Sequence, residues 1–335
     1  MSRLQILFRR IAWITLGLTL ILIMLGAYVR LTDAGLGCPD WPGCYGKLTW
    51  PTTEESIERA NMTFPERPVE AGKAWREMAH RYLAGVVGLL IFSMAWIGWR
   101  LRGIPGFPWK VAIATALVVI FQGLLGKWTV TLLLKPAIVT AHLLGGLATL
   151  ALVLWLAVRV TERFTVDLSG RLRRLWWIAL LVLCGQIFLG GWVSTNYAAV
   201  ACGTDFPTCQ QQLWPDDMDF AEGFRLWRGL GVDYEFGVLE SPARTAIHMA
   251  HRVGAIVATA VLLWFIAALW RSGAQQRPYA LALAAALLAQ LALGVINILA
   301  ALPLWAAVAH NGGAALLIAI MVILRAAERR RRPLR

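Results

Sequence analysis

Charge is what this sequence has least of. Of its 335 residues only 15% are Asp, Glu, Lys or Arg, where a soluble domain carries roughly a quarter. Hydrophobic residues make up 59% and the mean hydropathy is +0.62. A soluble fold cannot cover its surface with so few charges, and a disordered chain would not be this apolar. Acidic residues are scarcer than basic ones, 19 against 32, for a net charge of +13. Such an excess suggests nucleic acid only if the basic residues form a face, and here they sit in short clusters between long uncharged runs. The first apolar run lacks a small-x-small cleavage site before Arg30, so it is expected to be a retained helix and not a cleaved signal peptide. No transit-peptide-like leader precedes it, which favours a bacterial inner membrane over a mitochondrial one. The expected class is an all-α integral membrane protein, with the lipid bilayer as its solvent and no nucleic-acid partner.

A membrane-spanning helix needs about 20 mostly apolar residues, and cutting the sequence at its charges yields the spans. The uncharged runs are Ile11–Val29, Tyr82–Trp99, Val111–Gly126 (continuing past Lys127 through Leu134), Pro136–Val158, Leu175 to about Asn196, and Val253–Trp270. From Pro278 to Leu324 there are 47 residues without a charge. As one helix that run would be roughly 70 Å long, more than twice a bilayer core. Ala301-Leu302-Pro303 is the natural break, giving helices near 278–301 and 304–324. Eight spans result. Lys and Arg mark the cytoplasmic side. Arg3, Arg9 and Arg10, then Arg100, Arg102 and Lys110, then Arg159, Arg163, Arg171, Arg173 and Arg174, then Arg271 and Arg277, and finally Arg329 to Arg332 all fall on one side. The long loops at about 32–75 and 197–243 fall on the other and are acidic overall. Both termini are therefore expected inside, with the long loops on the periplasmic or extracellular side.

The chain reads as a tandem repeat. Leu25-Gly26-Ala27-Tyr28-Val29 up to Cys38 aligns without a gap with Leu189-Gly190-Gly191-Trp192-Val193 up to Cys202. His80-Arg81 matches His251-Arg252, Gln122 and Gly126 match Gln290 and Gly294, and Thr140-Ala141-His142 matches Val308-Ala309-His310. An even number of spans per half makes the repeats parallel, so the expected architecture is two pseudo-symmetric four-helix bundles, residues 1–165 and 166–335.

Four of the five histidines sit at these matching positions: His80 and His142, then His251 and His310. Each lies within about two turns of the outer end of an even-numbered span. In an up-down-up-down bundle the second and fourth helices are diagonal neighbours, so the imidazoles can meet across the bundle. Ionisable groups inside membranes are costly and usually functional, and paired neutral imidazoles suit the axial positions of haem iron. Glycines follow one histidine of each pair, Gly145 and Gly146 after His142 and Gly312 and Gly313 after His310. They leave room for a flat macrocycle, although helix packing also favours them. Zinc would want four ligands, and no carboxylate or thiol pair shares the site in both halves. Arg81 and Arg252 each follow a candidate ligand and suit haem propionates, or else reach the headgroups as interfacial arginines.

The halves differ one turn before the first histidine, where Glu77 stands in one and His248 in the other. A carboxylate beside a haem can stabilise developing positive charge or move a proton. The first half is therefore read as the reacting site and the second as an electron relay, unless Glu77 is an exposed residue at the helix entrance. Cys38 and Cys44, and Cys202 and Cys209, lie in the two long outer loops, where an oxidising compartment favours disulfides. A four-cysteine zinc site and exchange with a partner thiol remain open as alternatives. Cys184, in the middle of the fifth span, is expected to be a packing residue.

Together these features resemble the haem A synthase family of cytochrome oxidase assembly enzymes, over nearly the whole chain from Gly26 to Gly313. Further matching pieces are Gly26-Ala27-Tyr28-Val29-Arg30-Leu31-Thr32, Ala34-Gly35-Leu36-Gly37-Cys38-Pro39-Asp40-Trp41-Pro42, Asn61, and Gln122-Gly123 with Gly126, Thr129 and Val130. The resemblance implies conversion of the C8 methyl group of haem O to a formyl group through hydroxylated intermediates. It implies substrate haem O on His80 and His142, a haem b cofactor on His251 and His310, and Glu77 as the catalytic carboxylate. It also matches Cys38–Cys44 to the family's first-loop pair and Cys202–Cys209 to a second pair found in some members. Haem O synthase is the expected supplier of substrate. An electron-transfer partner is required but unidentified, and self-association into a homo-oligomer stays open. The competing functions are a quinol-linked di-haem b electron-transfer protein and a haem carrier or assembly chaperone.

Overall fold

The computed structural model describes residues 2–161 and 166–328. Arg163 and Arg329 to Arg332, used above as side markers, lie outside the described residues. Among the described residues eight helices are long and apolar enough to cross a membrane: α1 (Arg3–Leu31), α3 (Ala71–Arg100), α4 (Trp109–Thr131), α5 (Pro136–Thr161), α6 (Gly170–Thr195), α8 (Ser241–Arg271), α9 (Arg277–Leu299) and α10 (Leu304–Ala326). Two short helices, α2 (Glu54–Thr63) and α7 (Phe220–Gly223), lie in the long loops.

Local chemistry sets the helix ends. Ser2 and Gln5 form a capping box at the start of α1, and Ser169 accepts from the Leu172 amide at the start of α6. Proline in the first turn opens α8 and α9, where its missing N–H costs nothing. The breaks expected around 134 and 301–303 are real. Leu133 and Leu134 after α4, and Ala301 and Leu302 after α9, all have positive φ, from 48° to 63°. Left-handed backbone cannot continue a right-handed helix, so the chain reverses within a few residues at both places. Two of the histidine-bearing helices, α3 and α8, begin about eleven residues earlier than the charge-cut spans suggest. They carry Glu77, His80 and Arg81, or His248, His251 and Arg252, outward beyond the uncharged stretch. His80 is thus nine residues from the helix start, roughly 14 Å along the axis.

α1, α3, α4 and α5 pack in a ring, each against the next, and α6, α8, α9 and α10 do the same. α1 and α5 meet α10, and α5 and α10 also meet α6, along the seam. A continuous apolar core runs through the second group and that seam, including Leu150 and Leu154 of α5, Trp176 of α6, Phe265 of α8 and Met321 of α10. Trp176 donates its indole N–H to the Met321 carbonyl at 2.9 Å, so its one polar atom is not left bare in the core. The outward faces are apolar too: Leu89, Leu181, Ile256 and Leu288 are all at least 70% exposed. Only lipid accepts such a surface.

The two ends of the molecule are tied differently. At one end lie both long loops, joined by Arg67 of the first to Asp233 and Glu235 of the second. There Arg30 donates to the Ser194 carbonyl at 2.6 Å and stacks over Tyr197 at 4.1 Å, while the Tyr197 hydroxyl donates to Asp33 at 3.3 Å. At the other end Arg159 donates to the Ala326 and Glu328 carbonyls, and Arg173 pairs with Glu328.

Candidate functional site

His80 projects from α3 and His142 from α5, diagonally across the first ring. Their imidazole centroids are 6.5 Å apart with the planes at 69°. An imidazole nitrogen binds a transition metal at about 2 Å, and its ring centre lies about 1 Å further out, so two imidazoles on one iron have centres roughly 6 Å apart. The observed spacing fits one iron between them. His251 on α8 and His310 on α10 stand at the matching places of the second ring.

Each of the four rings rests on a glycine of a neighbouring helix. A Cβ on Gly26 would come 2.9 Å from His80 Nε2, and one on Gly126 would come 3.3 Å from His142 Cε1. The same holds for Gly190 under His251 and Gly294 under His310, at 3.2 and 3.3 Å. Any larger residue would push the ring out of place. Carboxamides stand beside three of these four histidines. Gln122 Nε2 donates to the His142 carbonyl at 2.6 Å, Gln186 Nε2 lies 3.0 Å from His251 Nδ1, and Gln290 Nε2 lies 3.3 Å from His310 Nε2. His142 Nδ1, His310 Nδ1 and the Oε1 atoms of all three glutamines are buried without a protein partner. Each such atom costs about 1–3 kcal/mol in a finished interior, and their gathering around the paired imidazoles suits a site built to hold a metal-centred group. The fit to haem is thus one of ring spacing, glycine cradles and donor chemistry.

Glu77 is 4% exposed, which removes the reading of a solvated residue at the helix entrance. Its Oε2 accepts the Cys38 amide at 2.8 Å and its Oε1 pairs with Arg81. Arg81 also donates to the carbonyls of Asp40 at 2.9 Å and Gly43 at 2.5 Å. Carboxylate, guanidinium and first-loop backbone therefore form one unit, one turn outward of His80. Gly37 makes this approach possible: a Cβ there would lie 2.6–2.8 Å from the Lys73–Ala74 backbone. In the second half His248 is equally buried but uses Nδ1 on the Ala198 carbonyl at 2.9 Å. Arg252 there donates to the carbonyls of Asp205 and Thr208, both at 2.8 Å, and to Pro207 at 3.1 Å. The structure thus places both arginines on loop carbonyls, a use that their position beside a ligand did not suggest.

Disulfides join Cys38 to Cys44 and Cys202 to Cys209, closing the turns that the arginines grip. In the first turn Asp40 accepts the Tyr45 and Gly46 amides, both at 2.7 Å. The Tyr45 hydroxyl donates to the Pro68 carbonyl at 3.2 Å. Burial, with the negative charges of Glu70 and Glu77 adding to it, pushes the Tyr45 phenol up to about 12. Asn61 serves the same loop, accepting the Val69 amide at 2.7 Å. Cys184 departs from expectation: it is exposed on the outer face of α6, toward lipid, and does not pack inside the protein. The contact of Gln186 with His251 was also not foreseen, because position 186 has no polar counterpart in the first half.

Comparison with known proteins decides the family. Residues 9–322 match the model of a family described as cytochrome oxidase assembly protein. The chain is 45% identical over 304 residues to a haem A synthase of Shewanella oneidensis, covering 90% of both chains. It is 30% identical over 322 residues to a haem A synthase of Sphingopyxis alaskensis, covering 89% of this chain and 85% of that one. The chain belongs to the haem A synthase family. It is an enzyme of haem A biosynthesis for cytochrome oxidase, and a multi-pass membrane protein. As a haem A synthase family member it carries His80 and His142 on helices that stand across one ring from each other, with the two imidazoles 6.5 Å apart, and its loop cysteines as disulfides.

Proposed function

We propose that the protein oxidises the C8 methyl group of haem O to a formyl group, with the substrate in the half formed by residues 1–165. His80 and His142 hold the substrate iron. His251 and His310, in the half formed by residues 166–335, hold a haem b cofactor that passes electrons. Two successive two-electron oxidations of the methyl carbon give the alcohol and then a gem-diol, each exchanging a C–H for a C–OH with one oxygen atom from O2 or water and with the electron-transfer partner closing the electron balance, and the gem-diol loses water to leave the aldehyde. Glu77 takes up or returns the proton at each oxidation, and Arg81 keeps its carboxylate in place. His248 offers no fixed negative charge at the equivalent position, which is why chemistry is assigned to one half. The observation that carries this reading is the 6.5 Å pairing of His80 with His142 beside a buried carboxylate that the second half lacks.

The tandem arrangement draws support from contacts between repeat-equivalent residues. Arg30 and Ser194 correspond in the repeat, as do Asp33 and Tyr197, and each pair is hydrogen-bonded. Equivalent residues touch each other when two copies meet about a two-fold axis. The basic clusters support a cytoplasmic location for both termini, and the disulfide loops an oxidising periplasmic side. Haem O synthase as supplier and a separate electron-transfer partner complete the reading.

Extraction and mass analysis of haems from the purified protein tests it. Haem b together with haem O, its alcohol or haem A is the expected content. Haem b alone, from cells that make haem O, contradicts the substrate assignment and favours a di-haem electron-transfer protein.

A further inference from the structure

The two halves differ at a second pair of positions that has nothing to do with the carboxylate. In the gapless alignment of Gly26 with Gly190, Leu22 corresponds to Gln186. In the alignment of His80 with His251, Leu83 corresponds to Gly254. In the second half these two residues form one device. The Gln186 carboxamide lies 3.0 Å from His251 Nδ1 and 3.1 Å from the His251 carbonyl. Its Oε1 is directed at Gly254, where any Cβ would collide with it. The glycine makes room for the carboxamide, and the first half has leucine at both places. Gln122 donates to the main-chain carbonyl of His142 and Gln290 lies 3.3 Å from His310 Nε2, while Nδ1 of both rings is buried without a protein partner. Among the described residues, His80 is the one paired histidine without a carboxamide against it.

An imidazole that binds iron through one nitrogen carries its proton on the other, and that N–H needs an acceptor to fix the ring. Removing such a partner typically weakens metal binding 10–100-fold. A half-turn of the Gln186 carboxamide exchanges its Nε2 donation to the His251 carbonyl for the buried, otherwise unpartnered Oε1 as an acceptor facing His251 Nδ1. We propose that Gln186, with Gly254 beneath it, is the positioning residue that makes the second haem a retained cofactor. Leucine at 22 and 83 leaves His80 as the ligand that releases iron, so that the first haem can leave as product. This rests on the assignment of substrate to the first half and cofactor to the second.

The test measures haem loss from the purified holoprotein to excess apomyoglobin, together with the electron paramagnetic resonance signals of the low-spin haems. Gln186→Leu is expected to speed loss of haem b about 10–100-fold and to shift its signal, with the first-half haem unaffected. Gln186→Glu, which keeps an acceptor, restores retention. The transplant Leu22→Gln/Leu83→Gly is expected to slow loss of the first-half haem and to leave haem A on the purified protein. Unchanged loss rates and spectra in both Gln186→Leu and the transplant overturn the proposal. If Gln186→Leu fails to fold, the transplant decides alone, since its prediction has the opposite sign. Wild-type protein holding only haem b overturns the underlying site assignment instead, and is read before any variant is made.

Discussion

Glu77 and His248 align in the sequence, are equally buried, and differ in kind, a carboxyl group against an imidazole. Glu77 accepts from the Cys38 amide and pairs with Arg81, whereas His248 meets the Ala198 carbonyl through Nδ1 and leaves its Nε2 buried without a partner. Arg81→Ala therefore leaves a buried carboxylate without its counter-charge and is expected to cost about 3–5 kcal/mol. Arg252→Ala removes carbonyl contacts and the approach of the guanidinium to the Phe206 ring at 5.8 Å, and is expected to cost about 1–3 kcal/mol. Thermal unfolding of the two detergent-solubilised variants compares them, and an equal loss would contradict the Glu77–Arg81 unit. Sequence alone exposed the four histidines and Glu77 because each stands out against an apolar background with a counterpart to compare. It did not expose what the arginines bind, since backbone carbonyls leave no mark in a sequence. Nor did it separate Gln186 from an ordinary polar residue, because only the fold brings α6 against α8.

At the scale of elements, composition was enough to count the spans, and their inner edges fell where charge returned. The outer starts of α3 and α8 were misplaced because a helix does not stop at the hydrocarbon edge. Its backbone hydrogen bonds continue as long as loop and cap residues satisfy them. The first outer loop is the element with a readable pH dependence. Tyr45 has its phenol raised to about 12, against about 10 in an unfolded chain. A raised pKa means that the neutral form is favoured by folding. Its contribution is thus complete below about pH 10 and is lost as pH rises toward 12. Tyr45→Phe is expected to lose about 1 kcal/mol at neutral pH with the hydrogen bond to Pro68. The variant is also expected to lose stability less steeply on the alkaline side. Unfolding midpoints across an alkaline pH series check both, and an unchanged alkaline slope contradicts the assignment.

The whole molecule packs α1, α3, α4 and α5 in one ring and α6, α8, α9 and α10 in another, meeting along α1, α5, α6 and α10, with both disulfide-bearing loops at one end. Leu48 and Leu213 are the most exposed apolar residues of those loops, at 83% and 73%, and Arg271 is exposed at the opposite end. Cysteines introduced at Leu48 and Leu213 are expected to react with a membrane-impermeant maleimide in intact spheroplasts, and one at Arg271 is not. The reverse pattern would invert the topology. The matching sequence stretches of residues 1–165 and 166–335 explain why much of the architecture could be read in advance, since differences between aligned positions identify themselves. Those differences carry the central claim, that chemistry belongs to one half while the other keeps its haem for electron transfer. The most direct measurement is the haem content of purified Glu77→Gln protein, resolved by mass. The account predicts haem b at the wild-type level with haem O or its alcohol accumulated in place of haem A. Haem A at the wild-type proportion would contradict it.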